Sequence, residues 1–337
     1  MELLKVDNLS TSFKTDQGTV QAVRDVSFSL KEGEVLGIVG ESGSGKSQTM
    51  YSIMGLLADN GTVDSGTIMF DGEDISPSSF PDKNTYNEKM RSIRGNRMAM
   101  IFQDPMTFLN PVLRIETQLV EPLLNHTNMT KEQARERALE LMRLVGIPSP
   151  EKRIRQYPFE FSGGMRQRIV IAIALTCNPK LIIADEPTTA LDVTIQAQVL
   201  ELIDDLRKET NAAVILITHD LGVVAKLCDR VAIMYGGKMV EIGTDRDIFY
   251  NPKHPYTQGL LDCIANPEND DEKQLKPIAG SPPDLLSPPA GCPFVDRCEK
   301  AMKVCKYYMP GTTEFSEEHR ARCWLHDERA KGAKIDG

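Results

Sequence analysis

Three short runs of consecutive apolar residues predict buried parallel strands. Residues 35–39 (Val-Leu-Gly-Ile-Val), 181–184 (Leu-Ile-Ile-Ala) and 213–217 (Ala-Val-Ile-Leu-Ile) contain no charged side chain. Continuous apolar runs of this length are typical of strands that are covered on both faces. Residues 195–209, between the second and third runs, are expected to form a crossover helix. Residues 231–235 and 238–241 flank Gly236-Gly237, which is a hairpin signal. The pattern therefore predicts an α/β fold with a parallel sheet.

Two other parts of the chain have a different periodicity. Partial alternation over residues 3–9 and 20–30 predicts strands near the N-terminus, and residues 66–72 predict a strand that enters an Asp-Gly turn. Residues 131–145 place apolar side chains at helical spacing, with Thr130 as the expected N-cap and Gly146-Ile147-Pro148 as the stop. We therefore expect an N-terminal β-subdomain followed by a mainly helical region over about residues 106–168.

The composition changes after Phe249. Proline becomes frequent, and no long periodic segment follows. We therefore divide the chain into a domain over residues 1–250 and a C-terminal extension over residues 251–337, for which we expect little regular structure. Neither an internal repeat nor a low-complexity tract is apparent.

Composition restricts the class of protein. The net charge of −9 disfavours a general nucleic-acid binder, which needs a basic face to neutralise phosphates. No apolar run approaches the length that spans a bilayer, and residues 1–7 lack the features of a signal peptide. We expect a cytosolic protein, so any membrane process would need a partner to supply the membrane span.

Residues 40–47 (Gly-Glu-Ser-Gly-Ser-Gly-Lys-Ser) fit the phosphate-loop pattern G-x-x-x-x-G-K-[ST] at every fixed position. Glycines let backbone N–H groups turn toward phosphate oxygens, and the following helix adds the partial positive charge of its N-terminus. Lys46 is expected to reach the β- and γ-phosphates, and Ser47 to ligate Mg²⁺. The expected nucleotide contacts are Gly40, Ser42, Gly43, Gly45, Lys46, Ser47 and Gln48.

An acidic pair ends the second apolar run. Asp185 is placed to hold Mg²⁺ through water, and Glu186 to polarise the attacking water as general base. An isolated Asp-Glu pair at a strand end is commonly only a solvated turn. The phosphate loop upstream favours the catalytic interpretation here.

The segment Phe-Ser-Gly-Gly-Met-Arg-Gln-Arg over residues 161–168 lies between the phosphate loop and the acidic strand. With these three elements the chain resembles the ATP-binding subunit of an ABC (ATP-binding cassette) transporter. The resemblance implies a P-loop (RecA-like) ABC ATPase core with a β-subdomain, a helical subdomain and an irregular C-terminal extension. The commonest signature of that family is Leu-Ser-Gly-Gly-Gln, so Phe161 and Met165 are departures, and Met165 cannot make the polar ribose contact of the Gln.

The same resemblance implies further site residues. Gln103 resembles the Q-loop glutamine, which senses Mg²⁺ and the membrane partner, and Asp192 resembles the D-loop aspartate at the dimer interface. His219 matches the switch histidine that contacts the γ-phosphate, and Phe13 resembles the aromatic residue that stacks on adenine. The signature loop, which in this family contacts the γ-phosphate held by the opposite subunit, is Ser162, Gly163 and Gly164. One copy of each motif implies one cassette, which needs a second to complete its ATP site.

The extension narrows the resemblance. Residues 251–261 (Asn-Pro-Lys-His-Pro-Tyr-Thr-Gln-Gly-Leu-Leu) and 287–294 (Ser-Pro-Pro-Ala-Gly-Cys-Pro-Phe) resemble the segments that mark ATPase subunits of oligopeptide and dipeptide importers. The related nickel importers share them, so nickel is the alternative cargo. The form of residues 162–168 and of 106–111 resembles the D-type subunit. The resemblance implies an F-type partner cassette, two transmembrane permease subunits and an extracytoplasmic solute-binding protein.

Four of the seven cysteines lie close together in the extension, at Cys292, Cys298, Cys305 and Cys323. In a reducing compartment such a group is more typical of a metal site than of disulfides. Four thiolates suit a [4Fe–4S] cluster or a closed zinc site, although no C-x₂₋₄-C pair typical of zinc is present. Some members of the resembled subfamily carry an iron–sulfur cluster, which favours the cluster, and four free thiols are the third alternative.

Two other functions fit less of the sequence. DNA-maintenance ABC ATPases usually insert a long coiled coil or zinc modules between the two motifs, and translation-type relatives usually carry two cassettes. A small-molecule kinase with a phosphate loop would leave Ser162 to Gly164 and His219 unexplained. We therefore expect an ATP-hydrolysing importer motor that uses ATP and Mg²⁺ at the cytoplasmic face of the membrane.

Overall fold

Each predicted apolar run forms a buried strand in the computed structural model, which describes residues 1–102, 108–187, 193–263 and 278–330. The chain divides into two units. Unit 1 comprises residues 1–3, 30–35 and 77–217, and unit 2 comprises residues 4–29, 36–76 and 218–337. The phosphate loop and the C-terminal extension therefore belong to the same unit.

The described strands are β1 (Glu2–Thr15), β2 (Gly18–Lys31), β3 (Val35–Val39), β4 (Gly61–Phe70), β5 (Glu73–Asp74), β6 (Met98–Ile101), β7 (Leu181–Asp185), β8 (Ala213–Ile217), β9 (Arg230–Tyr235), β10 (Lys238–Thr244), β11 (Thr313–Glu314) and β12 (Arg320–Ala321). The described α-helices are α1 (Lys46–Met54), α2 (Lys83–Ile93), α3 (Ile115–His126), α4 (Lys131–Leu144), α5 (Pro150–Arg153), α6 (Gly163–Ala174), α7 (Val193–Thr210), α8 (Leu221–Leu227), α9 (Asp245–Tyr250), α10 (Pro255–Asp262) and α11 (Lys303–Tyr307). Short 3₁₀ turns cover residues 77–79, 158–160, 295–297, 324–326 and 328–330.

Unit 1 contains a parallel sheet and a helical layer. Its strands pair in the order β8-β7-β6, with Asp185 opposite Ile217 and Ile101 opposite Ala184. All five residues of β7 and of β8 are buried, as their uninterrupted apolar sequences predict. Asp185 ends β7 and Glu186 follows it, so the acidic pair lies at the carboxyl ends of the parallel strands.

Helix α4 of unit 1 forms over the residues that its periodicity predicts. Thr130 caps α4, accepting from the Gln133 N–H at 3.3 Å, while its own N–H donates to Gln133 Oε1 at 2.8 Å. This capping box satisfies two backbone donors that a helix start otherwise leaves unpaired. Gly146 follows the helix at a φ of 74°, a left-handed conformation that glycine adopts without strain.

Unit 2 contains two sheets. One is antiparallel, in the order β2-β1-β4-β5, and the Asp71–Gly72 turn joins its last two strands at positive φ. The other runs β11-β12-β10-β9-β3, in which β3 pairs with β9 in parallel and the remaining pairs are antiparallel. The predicted hairpin at Gly236-Gly237 joins β9 to β10, and both glycines have positive φ.

The extension contains more regular structure than its composition predicts. Helix α10 begins with Pro255, whose fixed φ suits the first helical turn, and the His254 side chain accepts a hydrogen bond from the Tyr256 N–H. The short strands β11 and β12 extend the sheet beyond β10. Backbone pairing with an existing sheet edge compensates for the small apolar content of this segment.

A buried carboxylate joins the extension to β10. Glu241 is 1% exposed, and its Oε1 accepts from the Lys253 N–H at 2.7 Å and from His319 Nε2 at 2.9 Å. Its Oε2 accepts from the His254 N–H at 2.9 Å. Burial raises the pKa of Glu241, but these hydrogen bonds outweigh it and leave the pKa below its ordinary value. The carboxylate therefore stays charged and holds two segments of the extension.

Candidate nucleotide site and four-cysteine cluster

The backbone of the phosphate loop requires glycine at two positions. A Cβ at Gly40 would lie 2.2 Å from the Met234 carbonyl oxygen, so only glycine fits where β3 enters the loop. Gly45 has a φ of 97°, and a Cβ there would lie 2.3 Å from the Ala22 carbonyl oxygen. Helix α1 begins at the next residue, so its N-terminus opens directly onto the loop.

Lys46 is held across the loop. Its side chain is buried, and Nζ donates to the Gly40 carbonyl at 2.8 Å and to the Glu41 carbonyl at 3.0 Å. Ser42 and Gly43 are exposed, while Ser47 and Gln48 are half-buried. The loop therefore offers exposed backbone and one lysine ammonium, the combination that binds the phosphates of a nucleotide.

The acidic pair lies in unit 1. Asp185 is the last residue of β7 and is 2% exposed. Glu186 is half-buried, and its N–H donates to the Ile217 carbonyl at 2.9 Å. Glu186 adopts a φ of 45°, an uncommon conformation for a residue other than glycine. Such strain is found where a side chain has to point in one direction, as at functional sites.

The signature segment forms the start of helix α6. Ser162 is its N-cap, with Oγ accepting from the Met165 N–H at 3.3 Å. Ser162 and Gly163 are exposed, and a Cβ at Gly163 would meet no atom within 4 Å. Helix α6 is 12 residues long, and its N-terminus is exposed, with open space beside Gly163. The N-terminus of a helix favours an anion.

Of the remaining predicted nucleotide residues, two lie in the part of the chain that the structure describes and two do not. His219 is exposed and lies two residues after the end of β8. The N–H of the preceding residue, Thr218, donates to the carbonyl of Ile38 in β3, the strand that leads into the loop, at 3.4 Å. Phe13 is half-buried opposite Gly61 in the pairing of β1 with β4. Gln103 and Asp192 lie outside the residues that the structure describes.

The structure adds contacts to the loop that the sequence did not predict. The Glu41 carboxylate receives both terminal nitrogens of Arg297, at 2.7 and 3.1 Å, and the Glu41 N–H donates to Tyr256 Oη at 3.0 Å. Glu41 is a variable position of the loop motif, and Arg297 follows it by 256 residues. No local pattern in the sequence marks such a pair.

The four cysteines of the extension lie around one small cavity. Cys292, Cys298, Cys305 and Cys323 line it together with His254. The Cys292 N–H donates to the Cys305 carbonyl at 2.8 Å, which joins two of the four segments. Burial raises the pKa of Cys292 and of Cys323 to about 12, and lowers the pKa of His254 to about 4. The four cysteines therefore share one cavity, and their role as ligands stays a prediction.

The cysteine set fits a soft metal centre in its chemistry. Four thiols without a carboxylate are the donors that zinc and iron–sulfur clusters take. Among the residues that the structure describes, however, no group of three or more His, Cys, Asp or Glu side chains has the arrangement that holds a single metal ion.

No helix among residues 1–102, 108–187, 193–263 and 278–330 combines the length and apolarity needed to cross a bilayer.

The antiparallel sheet, the phosphate loop, the acidic strand and the exposed signature helix together define an ATP-binding cassette.

Comparison with known proteins agrees with this class. The family model for ABC transporters matches residues 23–189, and that for the oligopeptide/dipeptide transporter C-terminal region matches residues 240–305. The dipeptide transport ATP-binding protein DppD of Bacillus subtilis is 56% identical over 337 residues, covering 100% of this chain and 98% of its own. The oligopeptide transport ATP-binding protein OppD of Escherichia coli is 49% identical over 322 residues, covering 96% of this chain and 93% of its own.

A solved ATP-binding cassette, a dimer in a post-hydrolysis state bound to ADP and Pi, superposes with a TM-score of 0.63 at 28% identity, covering 72% of this chain and 99% of its own. The chain therefore belongs to the ATP-binding subunits of the oligopeptide and dipeptide ABC transporter family, as the sequence predicted.

Proposed function

We propose that this chain is the ATP-hydrolysing motor of an importer that takes up dipeptides or oligopeptides. The observation that carries the proposal is the full-length similarity, at 56% identity, to a dipeptide transport ATP-binding protein. That similarity includes the extension, which the transporter C-terminal model matches independently over residues 240–305. The cargo would contact other subunits, so this chain supplies the mechanical work and not the peptide pocket.

Each site residue has a role in this proposal. The phosphate loop would bind the β- and γ-phosphates through its N–H groups and Lys46. Ser47 would ligate Mg²⁺, and Asp185 and Gln103 are the other residues proposed to hold this ion, which would neutralise phosphate charge. Glu186 takes the proton of the attacking water, and His219 contacts the γ-phosphate. The strained backbone of Glu186 supports its role, because strain of this kind is retained where the direction of a side chain matters.

A second cassette completes the site. The exposed N-terminus of helix α6, with Ser162, Gly163 and Gly164, would contact the γ-phosphate bound by a partner, and Asp192 would lie at the interface. Phe13 would stack on adenine. The partner would be an F-type cassette, and the pair would sit on two permease subunits at the cytoplasmic face of the membrane, with a solute-binding protein outside. Because each site needs residues from both cassettes, the isolated chain should hydrolyse ATP poorly.

The test is Glu186→Gln in the complex assembled with its permeases, with Glu201→Gln, an exposed residue of helix α7, as the matched control. We expect ATP to bind and turnover to fall by about 10²- to 10⁴-fold in the first variant, because the general base is lost, and no change in the control. Wild-type turnover in Glu186→Gln would refute the assignment of the base. Uptake of labelled dipeptide, oligopeptide and Ni²⁺ by the complex then identifies the cargo, and uptake of Ni²⁺ alone would overturn the peptide proposal.

We also propose that Cys292, Cys298, Cys305 and Cys323 hold a [4Fe–4S] cluster. The common cavity and the carboxylate-free donor set support it. The sequence contains no closely spaced C-x₂₋₄-C pair of the kind that zinc sites usually have, which favours the cluster over zinc. The cluster when bound would join four segments of the extension by covalent iron–sulfur bonds, which is a structural role.

Anaerobic purification and metal analysis test this proposal. We expect a brown protein with about four irons per chain, and loss of the colour when Cys298 is replaced by Ser. Cys177→Ser is the control, since Cys177 lies in unit 1. One zinc per chain and no iron would transfer the site to zinc, and neither metal would favour free thiols.

A further inference from the structure

Glu41, the second residue of the phosphate loop, is bound through all of its polar groups. Its carbonyl accepts from Lys46 Nζ at 3.0 Å, and its N–H donates to Tyr256 Oη at 3.0 Å. Its carboxylate receives Arg297 at 2.7 and 3.1 Å. The lysine belongs to the loop itself, whereas Tyr256 and Arg297 both come from the C-terminal extension. The extension therefore contacts the loop that binds phosphate.

Arg297 is held rigidly in this position. Its side chain is only 6% exposed, and besides Glu41 it donates to Tyr235 Oη at 3.0 Å and to the carbonyls of Ile278 at 3.0 Å and Ala279 at 2.9 Å. A planar guanidinium can make these contacts at once, while a lysine ammonium cannot reproduce the paired contact with a carboxylate. Arg297 also immediately precedes Cys298. The contact thus connects the loop to the four-cysteine segment.

We propose that Arg297 is a positioning residue of the ATP site, which acts through Glu41 to fix the phosphate loop and so makes nucleotide affinity depend on the folded extension. The inference rests on ATP binding by this chain and is independent of which metal the cysteines hold. Glu41 is the point of coupling because the carbonyl that orients Lys46 and the carboxylate that Arg297 holds belong to one residue. Release of the carboxylate frees the loop backbone at the position where it contacts the phosphate-binding lysine.

Coupling of this kind is reciprocal. If the folded extension tightens nucleotide binding, bound nucleotide must stabilise the extension by the same free energy. The chain's single tryptophan, Trp324, reports on the extension, because it is buried there and its Nε1 donates to the Tyr308 carbonyl at 2.8 Å. Its fluorescence therefore measures the stability of the extension with and without nucleotide.

The experiment measures the Kd of Mg-ATP for the full-length chain with a fluorescent ATP analogue, in the wild type, Arg297→Gln, Arg297→Lys and Glu41→Gln. The matched control is Arg322→Gln. Arg322 also joins the extension to an earlier part of unit 2, through an ion pair with Asp25 of β2 at 2.7 Å, but it does not contact the phosphate loop. We expect a Kd about tenfold higher in Arg297→Gln and in Glu41→Gln, within the range of about 5- to 150-fold that is typical of coupled sites. The control should bind ATP like the wild type.

Three further results separate positioning from general destabilisation. The double variant Glu41→Gln/Arg297→Gln should bind ATP no more weakly than the worse single variant, because both remove the same contact. Arg297→Lys should recover only part of the affinity. In the complex, KM should rise with kcat unchanged, which indicates loss of uniform binding. Nucleotide should raise the urea midpoint of Trp324 fluorescence in the wild type and in Arg322→Gln, and not in Arg297→Gln.

Wild-type ATP affinity in both Arg297→Gln and Glu41→Gln would overturn the inference. So would an equal loss of affinity in Arg322→Gln, because the effect would then come from the stability of the extension as a whole. If Arg297→Gln fails to fold, Glu41→Gln decides, since it leaves every other contact of Arg297 in place. Failure of the wild-type chain to bind Mg-ATP would refute the proposed function, and this inference with it.

Discussion

Replacement of Glu241 by Gln should detach the extension from β10. An amide of the same shape keeps one acceptor oxygen, which can serve the Lys253 N–H and His319 at the position of Oε1. The NH₂ group of the amide then faces the His254 N–H. In the wild type this N–H donates to Glu241 Oε2. Two donors are left buried and unpaired, at about 1–3 kcal/mol each. The two penalties add to about 2–6 kcal/mol, a range that includes the loss of about 3–5 kcal/mol found when one member of a buried ion pair is removed.

Urea unfolding followed by Trp324 fluorescence measures this loss. With an m-value of about 2 kcal/mol/M, the midpoint should fall by about 2 M. The control is Glu314→Gln, the same substitution at an exposed residue of the extension, for which the change should stay within about 0.5 kcal/mol. The pKa of Glu241 is lowered in the folded protein. The stabilisation by the Glu241 carboxylate is thus complete above the ordinary carboxyl pKa and is lost as the pH falls through the folded pKa. The unfolding free energies of the wild type and of Glu241→Gln should therefore converge at acid pH. Equal midpoints for Glu241→Gln and the control at pH 7 would refute the reasoning.

Three other outcomes follow from single contacts. Thr130→Ala removes the capping box of helix α4 and should cost about 1 kcal/mol in thermal unfolding, while Thr117→Ala, at an exposed position within helix α3, serves as its comparison. Gly291→Ala would place a Cβ 2.0 Å from the Cys305 carbonyl oxygen and should cost about 1–3 kcal/mol of extension stability in urea. Burial lowers the pKa of Lys238 to about 8, so the folded state disfavours its proton. Lys238→Met should therefore exceed the wild type in Tm below pH 8, and the gap should shrink between about pH 8 and 10.5, where only the unfolded lysine is still protonated. A gap that is constant with pH would contradict this.

Local sequence determined the elements of the fold. The apolar runs at residues 35–39, 181–184 and 213–217, the capped helix after Thr130 and the Gly236-Gly237 hairpin all form where the sequence predicts them. These features depend on backbone preferences and on side chains within a few positions, so a short window contains the physical cause. The phosphate loop is also recognised from a short window, although glycine is required at Gly40 and Gly45 by the distant carbonyl oxygens of Met234 and Ala22.

The assignment to the ABC transporter ATPases also came from local motifs, and the comparisons confirm it. The roles given to Glu186, His219 and Phe13, and the domain boundary at residue 250, stay predictions. So do the roles of Gln103 and Asp192, which lie outside the described residues.

Only the tertiary structure showed how the extension is held to the cassette. Arg297 contacts Glu41 across 256 residues, and His319 contacts Glu241 across 78. The Pro-rich composition of the extension predicted little structure, yet its short strands pair with β10 and its buried charged groups bind residues that precede the extension. The free energy of a buried ion pair depends on burial and on a second residue far away in sequence. A short stretch of sequence shows neither the burial of a charged group nor its distant partner, so only the tertiary structure could reveal these contacts.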